Sequence, residues 1–421
     1  MSEEISTDSG DLDEDEILAL DDPTYAHTGA SRPHPRPVQP LVQSLHVENL
    51  KSLAGPHDIP LAPVTLIYGP NAAGKSTILQ ALRIFATAMK AGRHDALHLY
   101  QECFGEQGRE LPTLITDHNQ EHTLKIGVAL AASKAVPPTY TELGFHLSPS
   151  VSVFLQTSRA SSTQGDFARK VFRVDYEGES WGEVEPKYNV GPDEEHLRPV
   201  RADNELVEGC QIPGTPAAAL SDRLFDVATY LVFLGPHRGD PRGKYEPSRA
   251  LFRRAQDGTD LSSMERVNKY LQLLGVHYKF EGEPITQANR WVKDWKLKDT
   301  RRDVEVRPDQ VGYGVSQVLP VIEACTRGTG QLICIEQPEL HIHPRLQAKL
   351  GSLFAVSVRR GNQIIAETHS ESIMLRIRRL IRQRRLRPEQ VALLYVDNDA
   401  EHGASVRHLR LGRQGELLDP W

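Results

Sequence analysis

Nine consecutive residues, Gly69-Pro70-Asn71-Ala72-Ala73-Gly74-Lys75-Ser76-Thr77, meet every fixed position of the pattern G-x-x-x-x-G-K-[ST]. The chemistry of such a run is anion binding. Its glycines let the backbone close so that successive N–H groups point at phosphate oxygens, Lys75 neutralises the β and γ phosphates, and Ser76 offers its hydroxyl to Mg2+. A chance match in a Gly-bearing turn is the alternative, and the flanking residues argue against it. Val64-Thr65-Leu66-Ile67-Tyr68 reads as a short buried strand, and Ile78, Leu79, Leu82, Phe85, Ala86 and Met89 recur at the spacing of one buried helical face. The expected ligands are ATP and Mg2+.

A phosphate loop needs acids opposite it, one to hold the water shell of Mg2+ and one to orient the attacking water. The apolar run Leu332-Ile333-Cys334-Ile335 ends in Glu336-Gln337-Pro338-Glu339, followed by Leu340-His341-Ile342-His343-Pro344. A second buried strand, Gln363-Ile364-Ile365-Ala366-Glu367, ends at Thr368-His369-Ser370, and a Gly-rich turn from Val311 to Gln317 precedes the apolar stretch Val318 to Ala324. Two other chemistries deserve weighing. His341 and His343 could form a zinc pair, although hydrogen-bonding residues of a nucleotide loop are the simpler reading. Ser370 and Glu371 beside His369 lack the strained elbow and the acid partner of a serine hydrolase.

In these motifs the chain resembles the ABC-type ATPases of the RecF, SMC and OLD-like branch, and within it bacterial ATPases carrying sequences like "GVSQVLP", "IEQPELHIHP" and "ETHSE". The resemblance runs from about Leu45 to the end of the chain. It implies an α/β P-loop NTPase fold, an ABC-type ATPase head with a mixed sheet and an inserted strand-rich and helical lobe. It also implies that Glu336 is the acid serving Mg2+ together with Ser76, where most relatives carry Asp. Gln337 falls where most relatives place the catalytic Glu, and an amide can orient water but cannot take its proton. Hydrolysis is then slow, or Glu339 substitutes, or ATP binding is itself the output. His369 matches the switch histidine at the γ-phosphate. Gly314 and Ser316, in a turn unlike the common LSGG, are the candidates to reach the ATP of a second copy, and Tyr230 to Leu234 with Gly235-Pro236-His237-Arg238 fall at the Q-loop position.

The remaining sequence has to position these groups. The chain of 421 residues carries a formal charge of −7, yet residues 1–22 hold ten Asp or Glu and no Lys or Arg, so the rest sums to −7 + 10 = +3. Residues 1–40 read as an acidic, then Pro- and His-rich, disordered tail, and 41–421 as the ATPase head, with an inserted lobe over about 100–310. Ser44 to Glu48 alternates like an edge strand, Glu110 to Gly191 reads as strand-rich, Ser262 to Leu274 as a helix, and Trp295–Lys298 with Asp303–Val306 as a hairpin. The stretch around Tyr230 is ambiguous between helix and strand. No apolar run spans a bilayer, so the expected location is cytoplasmic, and the four cysteines read as buried free thiols.

The function implied is an ATP-driven switch that dimerises around two ATP molecules and controls a nucleic acid or an effector nuclease or toxin, in DNA repair or antiphage defence. An ATP-sensing scaffold that hardly hydrolyses is the alternative. The missing heptads argue against an SMC-type architectural arm, and the 52 residues after His369 are too few for an OLD-type nuclease domain. Seven arginines between Arg376 and Arg387 form a basic helical run, either a solvated face or a nucleic-acid contact.

Overall fold

The computed structural model describes residues 41–90, 116, 125–131, 150–158, 167–176, 179–184, 229–236, 238, 263–281, 296–306, 310–399 and 403–421. The acidic tail and most of the proposed insertion lie outside these residues. At the centre is a six-stranded sheet in the order β15-β14-β3-β13-β12-β8. It contains β3 (Val64–Tyr68), β8 (Leu231–Leu234), β12 (Leu332–Glu336), β13 (Gln363–Glu367), β14 (Val391–Asp399) and β15 (Gly403–Leu409). All neighbours run parallel except β15, which returns antiparallel along β14. The mixed α/β sheet expected from the motifs is therefore present. Tyr230 is settled too, since the residues after it form the parallel edge strand β8.

Both faces of this sheet are covered, which explains strands that are apolar without a break. Period-two geometry divides each strand between two cores. Val64 and Leu66, Ile333 and Ile335, and Ile364 and Ala366 face a cluster built with α2 (Ser263–Leu273), α3 (Tyr313–Arg327), α4 (Pro344–Arg359) and α5 (Glu371–Arg382). Ile67, Cys334 and Ile365 point the other way, into a cluster with α1 (Lys75–Lys90). Ile78, Leu79, Leu82, Phe85 and Ala86 are the buried face of α1, as their spacing predicts, while the Met89 side chain lies outside the description.

Above α1 lies a second sheet, antiparallel throughout, in the order β2-β1-β4-β5-β6-β7. Its strands are β1 (Val42–Glu48), β2 (His57–Pro60), β4 (Lys125–Ala131), β5 (Ser150–Ser158), β6 (Phe167–Tyr176) and β7 (Glu179–Val184). The alternation in β1 is real, with Val42, Leu45 and Val47 buried, but β1 is not an edge strand: β2 and β4 flank it. One-sided burial produces the same pattern at an edge and in an interior, so alternation reports the buried face and not the position in the sheet. The expected hairpin forms from β10 (Lys296–Asp299) and β11 (Val304–Val306), with β9 (Tyr278–Glu281) completing a small third sheet.

One buried amide ties the two large sheets together. Gln363, at the start of β13, accepts from the Val42 N–H through Oε1 at 2.9 Å and donates through Nε2 to the Val42 carbonyl at 2.8 Å and the Ala62 carbonyl at 3.1 Å. The basic run on α5 proves to be divided. Arg376 and Arg385 are buried, Arg376 donating to Ser352 Oγ at 2.8 Å, and Arg378 Nε donates to the Gly415 carbonyl at 2.6 Å. Arg379, Arg382 and Arg384 are exposed. Cys325 and Cys334 are buried free thiols, as expected, and the other two cysteines lie outside the description.

Replacing Gln363 by Leu takes this partner from the Val42 N–H and carbonyl and from the Ala62 carbonyl, which keeps the Thr65 hydroxyl at 3.2 Å, so the expected cost is about 2–4 kcal/mol of unfolding free energy by urea titration. A loss below about 1 kcal/mol would show that the clamp is not stabilising.

Candidate nucleotide site

The phosphate loop follows β3 directly, and its glycines are sterically required. Gly69 has φ +144°, and a Cβ there would overlap the Val396 carbonyl oxygen of β14; Gly74 has φ +105° and lies against Ser52 Oγ. Pro70, Asn71 and Ala72 are exposed along the loop, whereas Ala73, Lys75 and Thr77 are buried. Lys75 folds over the loop, donating to the carbonyls of Gly69 at 3.1 Å and Pro70 at 2.7 Å. Burial lowers its pKa, opposed by the carboxylates of Glu367 and Glu339.

Those carboxylates arrive from the C-terminal ends of parallel strands, where α/β sheets bind ligands. Strand β13 lies between β3 and β12, and Glu367 and Glu336 are level partners at their ends. Ser76 Oγ donates to Glu367 Oε2 at 2.6 Å. The acid tied to the phosphate loop is thus Glu367, a residue to which the sequence motifs gave no role, and Glu336 stands one strand further out. Burial and the neighbouring Glu367 push the Glu336 carboxyl up to about 7, against the pull of Arg83, Arg238 and Lys51. Lys51 comes from the turn between β1 and β2, and its Nζ donates to Gln80 Oε1 of α1 at 2.6 Å. Two carboxylates and a hydroxyl are hard oxygen donors that suit Mg2+, which keeps several waters and takes few protein ligands.

The turn after β12 is equally constrained. Gln337 has φ +45°, and its N–H donates to the Glu367 carbonyl at 2.8 Å. Glu339 uses both oxygens on the segment after β13: Oε2 accepts from Thr368 Oγ1 and Oε1 from the His369 N–H, each at 2.7 Å. It therefore holds the segment after β13 in place, with the His369 residue exposed beside it.

The family model described as "AAA domain" matches residues 44–110, and the one described as "AAA domain, putative AbiEii toxin, Type IV TA system" matches residues 215–375. An OLD nuclease of Thermus scotoductus is 24% identical over 381 residues, covering 85% of this chain and 64% of that protein, so the chain spans less than two thirds of its relative. Among solved structures, the SmcHead bound to the C-winged helix domain of ScpA superposes with a TM-score of 0.53 at 10% identity, covering 89% of this chain and 99% of the other. The SMC head domain from Thermotoga maritima gives 0.45 at 11% identity, covering 88% and 99%. These likenesses, with the phosphate loop and the strand order, mark the chain as an α/β P-loop NTPase similar to the ATPases of the RecF, SMC and OLD-like branch.

Around the phosphate loop the other candidate residues have definite places. The signature-like turn opens α3 and packs on the loop after β12: a Cβ on Gly314 would overlap the His341 carbonyl oxygen, and the Tyr313 ring meets the His341 ring edge-on at 4.7 Å. Ser316 is buried and its hydroxyl donates to the Tyr313 carbonyl at 2.8 Å, leaving Gly312 and Tyr313 as the exposed residues of the turn, with Gly314 half-buried. His343 caps α4, its Nδ1 accepting from the Arg345 N–H at 3.2 Å, and among the described residues no cluster of three or more His, Cys, Asp or Glu could hold a metal ion. Ser370 caps α5 and donates to Gln347 Oε1 at 2.8 Å, so its hydroxyl is committed to structure. No helix among the described residues is long and apolar enough to cross a membrane.

The raised pKa of Glu336 gives a pH prediction. An acid whose folded pKa lies near 7 and whose unfolded pKa lies near 4.5 binds more protons when folded, so stability falls as pH rises between those values. Without Mg2+ or nucleotide, Glu336→Gln is expected to raise the melting temperature more at pH 8 than at pH 5. An equal or opposite change at the two pH values would show that Glu336 is ionised throughout.

Proposed function

We propose that this ATPase binds Mg2+–ATP, hydrolyses it slowly, and acts as a switch whose closed state is a pair of chains sandwiching two nucleotides, controlling a nucleic acid or an effector protein. The observation that carries the reading is the Ser76–Glu367 bond beside in-register Glu336, which places a hydroxyl and two carboxylates at the mouth of a nine-residue phosphate loop. In this arrangement Gly69 to Thr77 surround the phosphates, and Lys75 exchanges the carbonyls of Gly69 and Pro70 for phosphate oxygens. Ser76 and Glu336 face Mg2+, and the bound cation would offset the repulsion between the two acids. Glu367 orients the Ser76 hydroxyl.

Gln337 orients the attacking water by hydrogen bonds, and because its amide cannot accept a proton, the chemical step is slow. Glu339 holds Thr368 and the His369 backbone, so that the His369 ring can meet the γ-phosphate. The start of α3, with Gly312 and Tyr313 exposed and Gly314 half-buried beside them, supports contact with the nucleotide of a second copy. Ser316 would contribute there only after leaving its bond to Tyr313. Likeness to a protein named OLD nuclease and to a family described with an AbiEii toxin supports a nuclease or toxin effector, and with it a role in phage defence or DNA repair. The exposed Arg379, Arg382 and Arg384 are the part of the basic run available to nucleic acid. The substitution of amide for acid at Gln337 also favours a second reading, an ATP-sensing scaffold with almost no turnover.

Steady-state phosphate release separates the two. Turnover abolished by Lys75→Ala and raised at least tenfold by Gln337→Glu is expected for the ATPase; a background rate that neither substitution alters would leave the scaffold. Size-exclusion chromatography of the full chain with saturating Mg2+–ATP is expected to show doubling of mass, most clearly in Lys75-intact, slowly hydrolysing protein. A monomer at every concentration would overturn the sandwich.

A further inference from the structure

Arg238, in the segment that the resemblance puts at the Q-loop position, makes four hydrogen bonds near the site, and that resemblance gives its side chain no task of its own. It follows β8 and is 5% exposed. Its Nη2 donates to the carbonyls of Glu336 and of Gln337, the latter at 2.5 Å, and its Nη1 donates to the Gln317 carbonyl at 3.3 Å. Its own N–H donates to Gln317 Oε1 at 3.1 Å, and Gln317 is 2% exposed. The guanidinium thus spends its donors on main-chain oxygens, not on a carboxylate, although Glu339 and Glu336 are the charges that offset its burial. Desolvation holds its pKa down to about 10, still far above neutrality, so the cation is permanent.

The acceptors identify what is being joined. Glu336 and Gln337 form the end of β12 and the left-handed residue that aims the Gln337 amide, and the carbonyl of Gln337 also receives the Leu340 N–H. Gln317 lies in the first turns of α3, where Pro320 cannot donate to the Ser316 carbonyl and the helical ladder is interrupted. A planar fork can bridge these two segments at once, whereas an ammonium on a flexible stem cannot. We infer that Arg238 is a positioning strut that couples the first turns of α3 to the Gln337 turn, so that engagement of the exposed end of α3 by a partner chain sets the orientation of Gln337 in the same subunit.

The kinetic consequence rests on the ATPase reading; the structural coupling does not, and hydrogen–deuterium exchange of the full chain tests it without turnover. In Arg238→Lys the Leu340 amide and the amides of Val315 and Ser316 are expected to exchange at least tenfold faster than in the parent, with the centre of β3 unchanged. Gln317→Leu, which removes one Arg238 acceptor on α3, is expected to accelerate exchange at Leu340 as well, and to add nothing once Arg238→Lys is present. Parent-like exchange at Leu340 in both single variants, or effects that simply add, would overturn the strut. Should Arg238→Lys fail to fold, Gln317→Leu alone decides: unaltered exchange at Leu340 refutes the coupling. In steady-state assays Arg238→Lys is expected to lower kcat at least tenfold with KM within twofold. A rise in KM at constant kcat would assign Arg238 to nucleotide binding instead and overturn the proposal; absence of turnover in the parent would sink the ATPase reading and leave the exchange result standing.

Discussion

Two carboxylates held level at the ends of neighbouring parallel strands set the terms for everything around them. Strands in a sheet are about 4.8 Å apart, and two unit charges about 5 Å apart repel by about 3 kcal/mol at an effective dielectric of about 20. That is a large share of the 5–15 kcal/mol by which a folded domain is ordinarily stable. The fold meets this load by convergence. Lys51 comes from the β1–β2 turn, Lys75 from the phosphate loop, Arg83 from α1 and Arg238 from beyond β8, and each senses the Glu336, Glu339 or Glu367 charge. Segments separated by hundreds of residues are thus required in one place by electrostatics, and the strand order β3-β13-β12 is what makes the requirement local.

Much of this was legible in the sequence where the signal is contiguous. The loop from Gly69 to Thr77 carries its pattern within nine residues, α1 carries its face in a 3.6-residue period, and β12 and β13 announce themselves as apolar runs ending in acids. Register across strands is not written locally. Nothing in Gln363 to Glu367 says that β13 lies between β3 and β12, so the motif acid Glu336 drew attention and Glu367, the acid bonded to Ser76, did not. The contacts of Arg238 were hidden for a similar reason: its guanidinium donates to backbone carbonyls 79 to 99 residues away, and a carbonyl has no residue type. The alternation of β1 was read correctly as to face and wrongly as to position. The arginines of α5 share one composition but divide between burial and solvent, because the hairpin after β15 and the body of α4 cover part of the helix.

Geometry also narrows what the candidate residues can do. Glu339 has the right type for a base, yet both its oxygens are occupied by Thr368 and His369, so it acts first as a brace. Ser316 has the right type for a phosphate contact, yet its hydroxyl closes the first turn of its own helix. Gln337 carries an amide, which cannot take a proton from water, on a left-handed backbone held by β13 on one side and Arg238 on the other. A residue held in an uncommon conformation costs about 1–3 kcal/mol, and that cost is maintained here for an amide.

The antiparallel sheet extends five strand spacings from β2 to β7, and four of them, from β1 to β7, run away from the clamp at Gln363. At about 4.8 Å per spacing that distance is about 19 Å. Because Gln363 binds both the N–H and the carbonyl of Val42, β1 cannot pivot freely on the nucleotide-binding sheet. The ladder is thus an arm rooted at the start of β13, at the end of the parallel strands opposite the phosphate loop that follows β3. A rotation of about 5° at the root would move the far strand by about 1.7 Å, about a third of a strand spacing.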